Sequence, residues 1–464
     1  MDENINQINR FLAGETTLTV PFDIELDGQS YQCEKVLRLL PGKRLVLKAK
    51  INDKTVLIKL FSADKKGLRE SKREQAGYKL ATKASVTVPK LLSVIGENNG
   101  CYAVVYEYID NAQSINNEQK DLLSLILFVA GLHQTGLFQE DFHLNNILCQ
   151  QEKLFLIDLA SVQSESGLKR LSKERSLNNL AKFIAQFNPL QQKRLVSLLN
   201  NYYQVRGWHY SDDEQHSFLD ILKKAWGKRK NIRLSKCFRE CTRTKYKKNW
   251  SIEYGLHRDF FEQVGPEFIT NIDVLIAQAQ LIKDGNSSTV VATKYAGMEL
   301  VIKRYNIKNI WHFIRRCLRP SRAAHSWKYA NLLEILGITS PQCYGFIEKR
   351  MGPFRVGAYL ITKRVQGAET LANVYSQRPP SEIELEQLNT IFATFQRYQI
   401  SHGDLKASNF LLNSHNIVEL IDLDSMQQHQ SSGSFNKAFN KDKIRFLKNW
   451  QDMKIESVFD DQLF

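Results

Sequence analysis

Short apolar runs alternate with polar, turn-forming segments along most of the chain. Runs rich in β-branched and aromatic residues predict strands at 55–61, 102–109, 299–305 and 358–365. Apolar residues at helical spacing predict helices around 121–135 and 383–398. We therefore expect a mixed α+β chain in which strands and helices follow one another in the same order in both halves.

A degenerate internal repeat supports two copies of one domain. The segment QEDFHLNNIL at 139–148 aligns with HGDLKASNFL at 402–411. A strand-like segment follows each of them, LFLIDLAS at 154–161 and VELIDLDS at 418–425. Because a repeat of this length spans a whole domain, we predict two domains, at 1–250 and 251–464.

The repeat extends upstream to one lysine per copy. Lys59 lies in the apolar run TVLIKLF and Lys303 in ELVIKRY, and each run is followed by an aligned proline, Pro89 or Pro341. Each copy thus carries an ordered set of lysine, Asp, Asn and Asp. These sets are Lys59, Asp141, Asn146 and Asp158 in the first copy and Lys303, Asp404, Asn409 and Asp422 in the second.

Phosphoryl transfer from ATP requires these residue types in this order. The lysine holds the α- and β-phosphates, and the first Asp orients the attacking hydroxyl and accepts its proton. The Asn and the second Asp bind Mg²⁺, which neutralises charge on the phosphates. A single Asp-x-x-x-x-Asn is a weak signal, whereas the ordered set of four, present twice, is a strong one.

At these residues the chain resembles the protein-kinase-like superfamily. The second copy resembles the lipopolysaccharide kinase family of Gram-negative bacteria, on the basis of 402–410, 420–425 and RPSRAAHSWKYANLLEILGITSP at 319–341. The resemblance covers about 280–450 well and 40–165 more loosely. It implies two tandem kinase-like domains, each with a small β-rich N-lobe and a larger helical C-lobe.

The resemblance also implies a function. The family phosphorylates Kdo or heptose in the lipopolysaccharide inner core, so we expect an ATP- and Mg²⁺-dependent kinase with an alcohol group as acceptor. Its substrate would be the inner-core glycolipid at the cytoplasmic face of the inner membrane. Asp404 would be the catalytic base, and Lys406 would contact the transferred phosphate.

The chain departs from the kinase pattern in several places. Neither copy has a G-x-G-x-x-G loop, and the candidate phosphate-binding hairpins are 39–45 and 282–289. Glu74 is the predicted helix partner of Lys59, with Glu70 as a second option. The second copy has Ser326 and Trp327 at that place, so no carboxylate partner for Lys303 is evident.

The two predicted catalytic loops also differ. The first has Gln139 and His143 where the second has His402 and Lys406. The first copy is therefore either a second catalytic domain, with Asp141 as its base, or a pseudokinase that keeps only the fold. A non-catalytic tandem pseudokinase scaffold at the membrane remains an alternative for the whole chain, as does a kinase of protein Ser/Thr or of a small molecule.

The formal charge of +15 favours anionic partners. Basic residues concentrate at 223–248 and 303–328. In the second stretch apolar residues recur at helical spacing, which predicts a basic amphipathic helix on an anionic membrane or a core-facing helix with a basic rim. The apolar positions are Ile307, Ile310, Trp311, Ile314 and Leu318. No nucleic acid is expected, because neither stretch accompanies a nucleic-acid-reading motif.

Cysteines and apolar runs exclude other classes. The seven cysteines are scattered, and Cys237 and Cys241 lack a nearby second pair that would complete a zinc site. The first residues do not have the pattern of a secretory signal, and the longest apolar stretch, around 122–132, is too short to span a bilayer. We expect a reduced, cytoplasmic protein, peripheral to the membrane.

Overall fold

The computed structural model describes residues 2–15, 18–116, 119, 121–165, 167–306, 320–451 and 459. The chain divides into two compact units, unit 1 at 1–227 and unit 2 at 228–464. Each contains both helices and a large antiparallel sheet, so the predicted mixed α+β class is confirmed. That the units are two tandem kinase domains stays a prediction.

Unit 1 begins with a β-rich region. Its six-stranded sheet has the order β1-β2-β3-β4-β6-β5. The strands are β1 (Phe22–Leu26), β2 (Gln29–Leu40), β3 (Arg44–Ile51), β4 (Lys54–Ser62), β5 (Leu91–Asn98) and β6 (Cys101–Glu107). Alternation in β4 places Val56, Ile58 and Leu60 in the buried core, and Lys59 therefore projects from the opposite face.

The remainder of unit 1 is mainly helical. Its helices are α1 (Asp2–Leu12), α2 (Lys65–Lys83), α3 (Leu122–Gln134), α4 (Lys173–Ile184), α5 (Pro189–Ser197) and α6 (Leu199–Arg206). Helix α7 (Asp212–Lys236) contains the boundary between the units. Short strands complete the unit: β7 (Gln113–Ser114), β8 (Leu137–Gln139), β9 (Ile147–Gln150), β10 (Lys153–Leu156) and β11 (Val162–Ser164).

Unit 2 has a seven-stranded sheet of order β12-β13-β17-β18-β16-β15-β14. The strands are β12 (Thr244–Lys248), β13 (Ile252–His257), β14 (Gln280–Gly285), β15 (Ser288–Tyr295), β16 (Met298–Tyr305), β17 (Cys343–Met351) and β18 (Phe354–Lys363). Lys303 of β16 pairs with Val290 of β15 and Leu360 of β18, so it lies on a central strand.

Helices and short strands form the rest of unit 2. The helices are α8 (Arg258–Val264), α9 (Glu267–Thr270), α10 (Ile272–Gln278), α11 (Arg322–Leu336), α12 (Leu371–Gln377), α13 (Glu382–Tyr398) and α14 (Ser432–Lys448). The strands are β19 (Glu369–Thr370), β20 (Ile400–Ser401), β21 (Phe410–Leu412), β22 (Val418–Leu420) and β23 (Gln427–Gln428). Within the described ranges no helix has the length and apolar character needed to cross a membrane.

Helix α2 approaches the rest of unit 1 through a face of small side chains. Its buried residues are Gly67, Ser71, Glu74, Gly77 and Ala81. A Cβ at Gly77 would lie 1.8 Å from the carbonyl oxygen of Leu159, so only glycine permits this contact. The contact places the helix directly against the turn that follows Asp158.

We predict that Gly77→Ala lowers the thermal midpoint of unfolding by several degrees, because overpacking of this kind costs about 1–3 kcal/mol. Gly131→Ala in α3 is the matched control, since no heavy atom of the described residues lies within 4 Å of its added Cβ. Alanine favours helix over glycine by about 1 kcal/mol, so the control should be neutral or stabilising. Equal midpoints for the two variants would contradict the close contact at Gly77.

Candidate functional site

The second predicted motif forms one compact loop in unit 2. Nδ2 of Asn409 donates to the backbone oxygen of Asp404 at 2.7 Å and to its Oδ2 at 3.3 Å. The amide of Ile421 donates to the carbonyl of Asn409 at 2.9 Å. Asp422 comes next, in a left-handed conformation with φ of 62°. The structure therefore brings Asp404, Asn409 and Asp422 together, as the spacing predicted.

Buried polar groups hold this loop in place. His402 is fully buried, and its Nε2 donates to the carbonyl of Ile421 at 3.0 Å. Burial keeps the pKa of His402 below its ordinary value, so the ring is neutral. Oδ2 of Asp442, on α14, accepts from the amides of His402 at 2.6 Å and Gly403 at 3.0 Å. His402 therefore acts as a structural residue, and Asp442 was not foreseen from the sequence.

Two cations flank the Asp404 carboxylate. Lys406 Nζ lies 2.9 Å from its Oδ2, and Arg445 donates to its Oδ1 at 3.2 Å. Burial acts to raise the pKa of Asp404, but the hydrogen bond from Lys406 and the charges of both cations outweigh it and lower the pKa. The carboxylate is therefore ionised at neutral pH and can accept a hydrogen bond. Arg445, missed in the sequence, lies on α14, far along the chain.

Lys303 has two carboxylate partners, although none was evident from the sequence. Its Nζ donates to Oδ1 of Asp422 at 2.5 Å and to Oδ2 of Asp424 at 3.3 Å. Asp424 also accepts from Arg322 of α11 at 2.6 Å. Both partners come from the loop after β22. Ser326, at the predicted helix position, has no carboxylate, and its hydroxyl contacts the Tyr305 hydroxyl at 3.2 Å. Asp424 lies two positions after Asp422 in the segment LIDLDS, but nothing in the sequence reveals its pairing with Lys303.

Unit 1 pairs its lysine with a helix, as predicted. Lys59 Nζ donates to Oε1 of the fully buried Glu74 at 2.6 Å. Glu74 also accepts from the hydroxyl of Tyr106 at 2.9 Å and from the backbone amide of Ala160 at 3.1 Å. Glu74 is thus the partner, rather than Glu70. The Asp158 carboxylate forms a long ion pair with Arg44, at 3.9 Å.

The motif loop of unit 1 repeats the backbone bonds of unit 2. Asn146 Nδ2 donates to the backbone oxygen of Asp141 at 3.0 Å, and Ile157 N donates to Asn146 O at 2.8 Å. Asp158 is again left-handed, with φ of 57°. Gln139 Nε2 donates to Ile157 O at 2.9 Å, which is the bond that His402 makes in unit 2. The glutamine therefore replaces the histidine without loss of that contact.

The surroundings of Asp141 and Asp404 differ. The Asp141 side chain is 79% exposed, and its recorded ion pair is with His143 at 2.9 Å. The Asp404 side chain is less exposed, and it pairs with Lys406 and Arg445, which are both charged at neutral pH. His133, on helix α3, is buried, and its ring nitrogens lie 2.6 Å from the Tyr202 hydroxyl and 3.0 Å from Oδ1 of Asn179. Burial lowers its pKa to about 3, so it is a neutral core residue.

The two predicted phosphate-binding segments are hairpin turns. The first joins β2 to β3 and contains Gly42 with φ of 63°, and the second joins β14 to β15. Their role in binding phosphate stays a prediction.

The predicted basic amphipathic helix, with Trp311, lies outside the described residues.

The oxygen atoms of unit 2 suit a hard cation such as Mg²⁺. Nδ2 of Asn409 is committed to Asp404, which leaves its Oδ1 as the ligand atom, and Asp422 supplies a carboxylate. No group of three or more His, Cys, Asp and Glu side chains in the described ranges could hold a metal by itself. Mg²⁺ in kinases is commonly held by one or two side chains together with substrate phosphates, which fits this pair. Asn146 and Asp158 are the corresponding residues in unit 1.

Comparison with known proteins agrees with this geometry. Residues 273–457 match the model of the lipopolysaccharide kinase (Kdo/WaaP) family. The match lies wholly within unit 2. It supports a kinase, which uses ATP, generally with a divalent metal. None of the curated proteins matches the chain.

Solved kinase structures are also similar, at low scores. Vaccinia related kinase 3 aligns with 11% identity and a TM-score of 0.25, over 37% of this chain and 59% of its own. A co-crystal structure of WbdD with the kinase inhibitor LY294002 aligns with 17% identity and a TM-score of 0.30, over 44% of this chain and 47% of its own. The chain thus covers about half the length of these structures.

The Lys59–Glu74 pair makes the stability of unit 1 depend on pH. Burial acts to raise the pKa of Glu74, but Lys59 and the hydrogen bonds from Tyr106 and Ala160 outweigh it and lower the pKa below 4.5. The pair therefore stabilises the folded state fully above the pKa of an unfolded glutamate. That stabilisation is lost as the pH falls through the folded pKa.

We predict that Glu74→Gln destabilises unit 1 by about 3 kcal/mol at neutral pH, because it leaves Lys59 partly buried without its carboxylate. The thermal midpoint of the variant should also fall less steeply than that of the wild type as the pH drops below the pKa of an unfolded glutamate, about 4.3. Glu70→Gln, on the same helix, should follow the wild type. Parallel curves for Glu74→Gln and the wild type would show that the pair is not the source of this dependence.

Proposed function

We propose that the chain is an ATP-dependent kinase that phosphorylates a Kdo or heptose hydroxyl of the lipopolysaccharide inner core, with unit 2 as the catalytic unit. One observation carries the proposal. The family match covers the unit in which Asp404, Asn409 and Asp422 lie together beside Lys303. Both the residue types and their order suit phosphoryl transfer.

In this proposal Asp404 accepts a hydrogen bond from the acceptor hydroxyl and orients it. It takes the hydroxyl proton as the bond from the acceptor oxygen to the γ-phosphorus forms, the bond from that phosphorus to the bridging oxygen breaks, and ADP leaves. Lys406 and Arg445 keep the carboxylate ionised for this role. Lys406 lies beside Asp404, where its charge can stabilise the phosphoryl group in transfer. Lys303 binds phosphate oxygens of ATP, while Asn409 and Asp422 hold Mg²⁺, which supplies charge neutralisation when bound.

Unit 1 is, in the same proposal, a divergent second copy. The repeated bonds of Asn146 and Ile157 and the left-handed Asp158 support common descent of the two loops. Lys59 and Glu74 retain a lysine–helix pair suited to nucleotide, and Asn146 and Asp158 retain metal-ligand types. Among the residues that the structure describes, no lysine or arginine pairs with the exposed Asp141, so we assign the main activity to unit 2.

We predict that Asp404→Asn lowers kcat for phosphate transfer to purified core glycolipid by about 10²–10⁴-fold, because the amide cannot accept the proton. Asp141→Asn should retain most of the activity. Mass-resolved product analysis of both full-length variants measures this and locates the phosphorylated sugar. Equal loss in both variants would indicate two active units.

The alternatives predict other results. A pseudokinase scaffold predicts no transfer to any glycolipid or protein acceptor and no ATP binding by the wild type. A kinase of protein or small-molecule substrates predicts ATP consumption that depends on Asp404 but is not stimulated by glycolipid. Either outcome would overturn the proposed substrate.

We infer that unit 2 contacts the anionic membrane that carries this substrate. Trp250, in the turn between β12 and β13, is 77% exposed, and Met351, at the end of β17, is 66% exposed. The turn between β12 and β13 and the turn between β17 and β18, here called the tips, are adjacent. The amide of Gly352 in the second turn donates to the carbonyl of Trp250 in the first at 2.9 Å. An exposed tryptophan beside lysines suits the headgroup region of an anionic bilayer.

The exposed charged side chains near these tips include two lysines. Lys247 and Lys248 are exposed. Glu253, 3.4 Å from Lys248, is buried and accepts from Arg350 at 2.6 Å. The predicted phosphate hairpin lies at the same end of the sheet, because Ser288 pairs with Tyr305 and Tyr305 pairs with Ala358. Docking by the tips therefore brings that end of unit 2 toward the membrane.

We predict that the wild type binds vesicles containing anionic phospholipid in a salt-sensitive manner. Trp250→Glu should weaken this binding, and replacing Lys247 or Lys248 by Gln should weaken it roughly fivefold each, at about 1 kcal/mol per lysine. Ile383→Glu, at another exposed apolar residue of unit 2, is the control. If Trp250→Glu binds like the control and Trp311→Glu does not, the contact lies in the 303–328 stretch instead.

A further inference from the structure

The two units anchor their strand lysine with carboxylates from different elements. In unit 1 the carboxylate is Glu74, on helix α2, and it also accepts from the amide of Ala160 in the loop after Asp158. In unit 2 it is Asp424, in the corresponding loop, and it accepts from Arg322 on helix α11. The helix offers the acceptor in unit 1 and the donor in unit 2, so the polarity of the contact is reversed.

Asp424 is built as a buried acceptor. Its side chain is 4% exposed and it has cations on both sides, Lys303 and Arg322. Both cations lie over the ring of Tyr305, at 5.1 Å and 5.0 Å from its centroid. A buried carboxylate that loses one partner is costly, so the three charges act as one unit.

Helix α11 contacts this loop through one face. Besides Arg322, His325 Nε2 donates to the carbonyl of Met426 at 2.8 Å. The hydroxyl of Tyr329 accepts from the amide of Gln428 at 2.9 Å. Residues three and seven positions apart share a helix face, so a single rigid element sets the position of 424–428. The position of Asp424 therefore follows that of α11.

We propose that Asp424, held by Arg322, is the positioning residue for Lys303 and takes the place of the helix carboxylate that unit 1 retains in Glu74. The inference rests on the proposed function, because it assigns Lys303 to ATP phosphates. Asp422 is the nearer partner of Lys303, yet it is also the metal-ligand residue. Asp424 gives Lys303 a second carboxylate, so Lys303 stays in place when Asp422 binds a cation.

The test compares full-length variants in ATP binding and in steady-state kinetics. Asp424→Asn and Arg322→Gln should each weaken ATP binding about 10–100-fold, as loss of an orienting partner commonly does. The KM for ATP should rise while the KM for the glycolipid acceptor stays unchanged. Arg322→Lys, which keeps the charge, should recover part of the affinity. Asp259→Asn, at an exposed acid on α8, is the control and should match the wild type.

Relocating the carboxylate provides a second test. Ser326 lies at the helix position that corresponds to Glu74 and already contacts the Tyr305 hydroxyl. Ser326→Glu in the Asp424→Asn background should lower the KM for ATP again. Thermal unfolding of each variant checks that it is folded. If Asp424→Asn or Arg322→Gln misfolds, Arg322→Lys still tests the proposal, because it keeps the charge but changes the bond geometry.

The outcomes separate this inference from the proposed function. ATP affinity that falls in Asp424→Asn while no glycolipid is phosphorylated by the wild type supports the positioning role and rejects the substrate. Glycolipid phosphorylation with unchanged ATP affinity and KM in both Asp424→Asn and Arg322→Gln would overturn the positioning role alone. Absence of ATP binding by the wild type would overturn both.

Discussion

A lysine on a central strand, held by a buried carboxylate, is the interaction on which the rest of each site depends. In both units the carboxylate joins three elements, namely the strand, the neighbouring helix and the loop that follows the motif strand. Unit 1 makes this junction with Glu74 and unit 2 with Asp424. Because an unpaired charge at such a depth is costly, strand, helix and loop can shift only together. The position of the lysine ammonium group is therefore fixed before any ligand binds.

The motif loops depend on a second constraint, the satisfaction of buried backbone groups. Asp442 accepts two loop amides in unit 2, and His402 or Gln139 donates to the carbonyl before the second motif Asp. Histidine and glutamine are interchangeable here because each supplies one N–H at a similar reach. The fold of the loop is thus conserved between the units, while the charges around its first Asp are not. The contacts that hold the loop are therefore shared by the two units, whereas Lys406 and Arg445 flank the first Asp in unit 2.

Much of the site was predictable from the sequence. In each unit the first Asp, the Asn and the second Asp are close in the sequence. The loop and the short strands that connect them therefore bring these residues together through local structure. The pairing of Lys59 with Glu74 was also predictable, since the helix directly follows the strand. The partner of Lys303 was missed, because Ser326 occupies the helix position and the carboxylate comes from another element. Arg322, Arg445 and Asp442 carried no local signal, and Trp250 is an ordinary aromatic until its exposure is known.

The sequence alone determined the mixed α+β class, the repeated order of elements and the membership of the Lys, Asp, Asn and Asp sets. These follow from hydrophobic periodicity and from short, ordered spacings, which act over one or two neighbouring elements. Only the tertiary structure decided which charges meet. Arg322 and Asp424 are separated by 102 positions and Arg445 and Asp404 by 41, and no periodicity relates residues so far apart. Ion pairing depends on distance and burial in the folded chain, so the counter-ion of Lys303, the cations beside Asp404 and the exposed tips emerge only from packing.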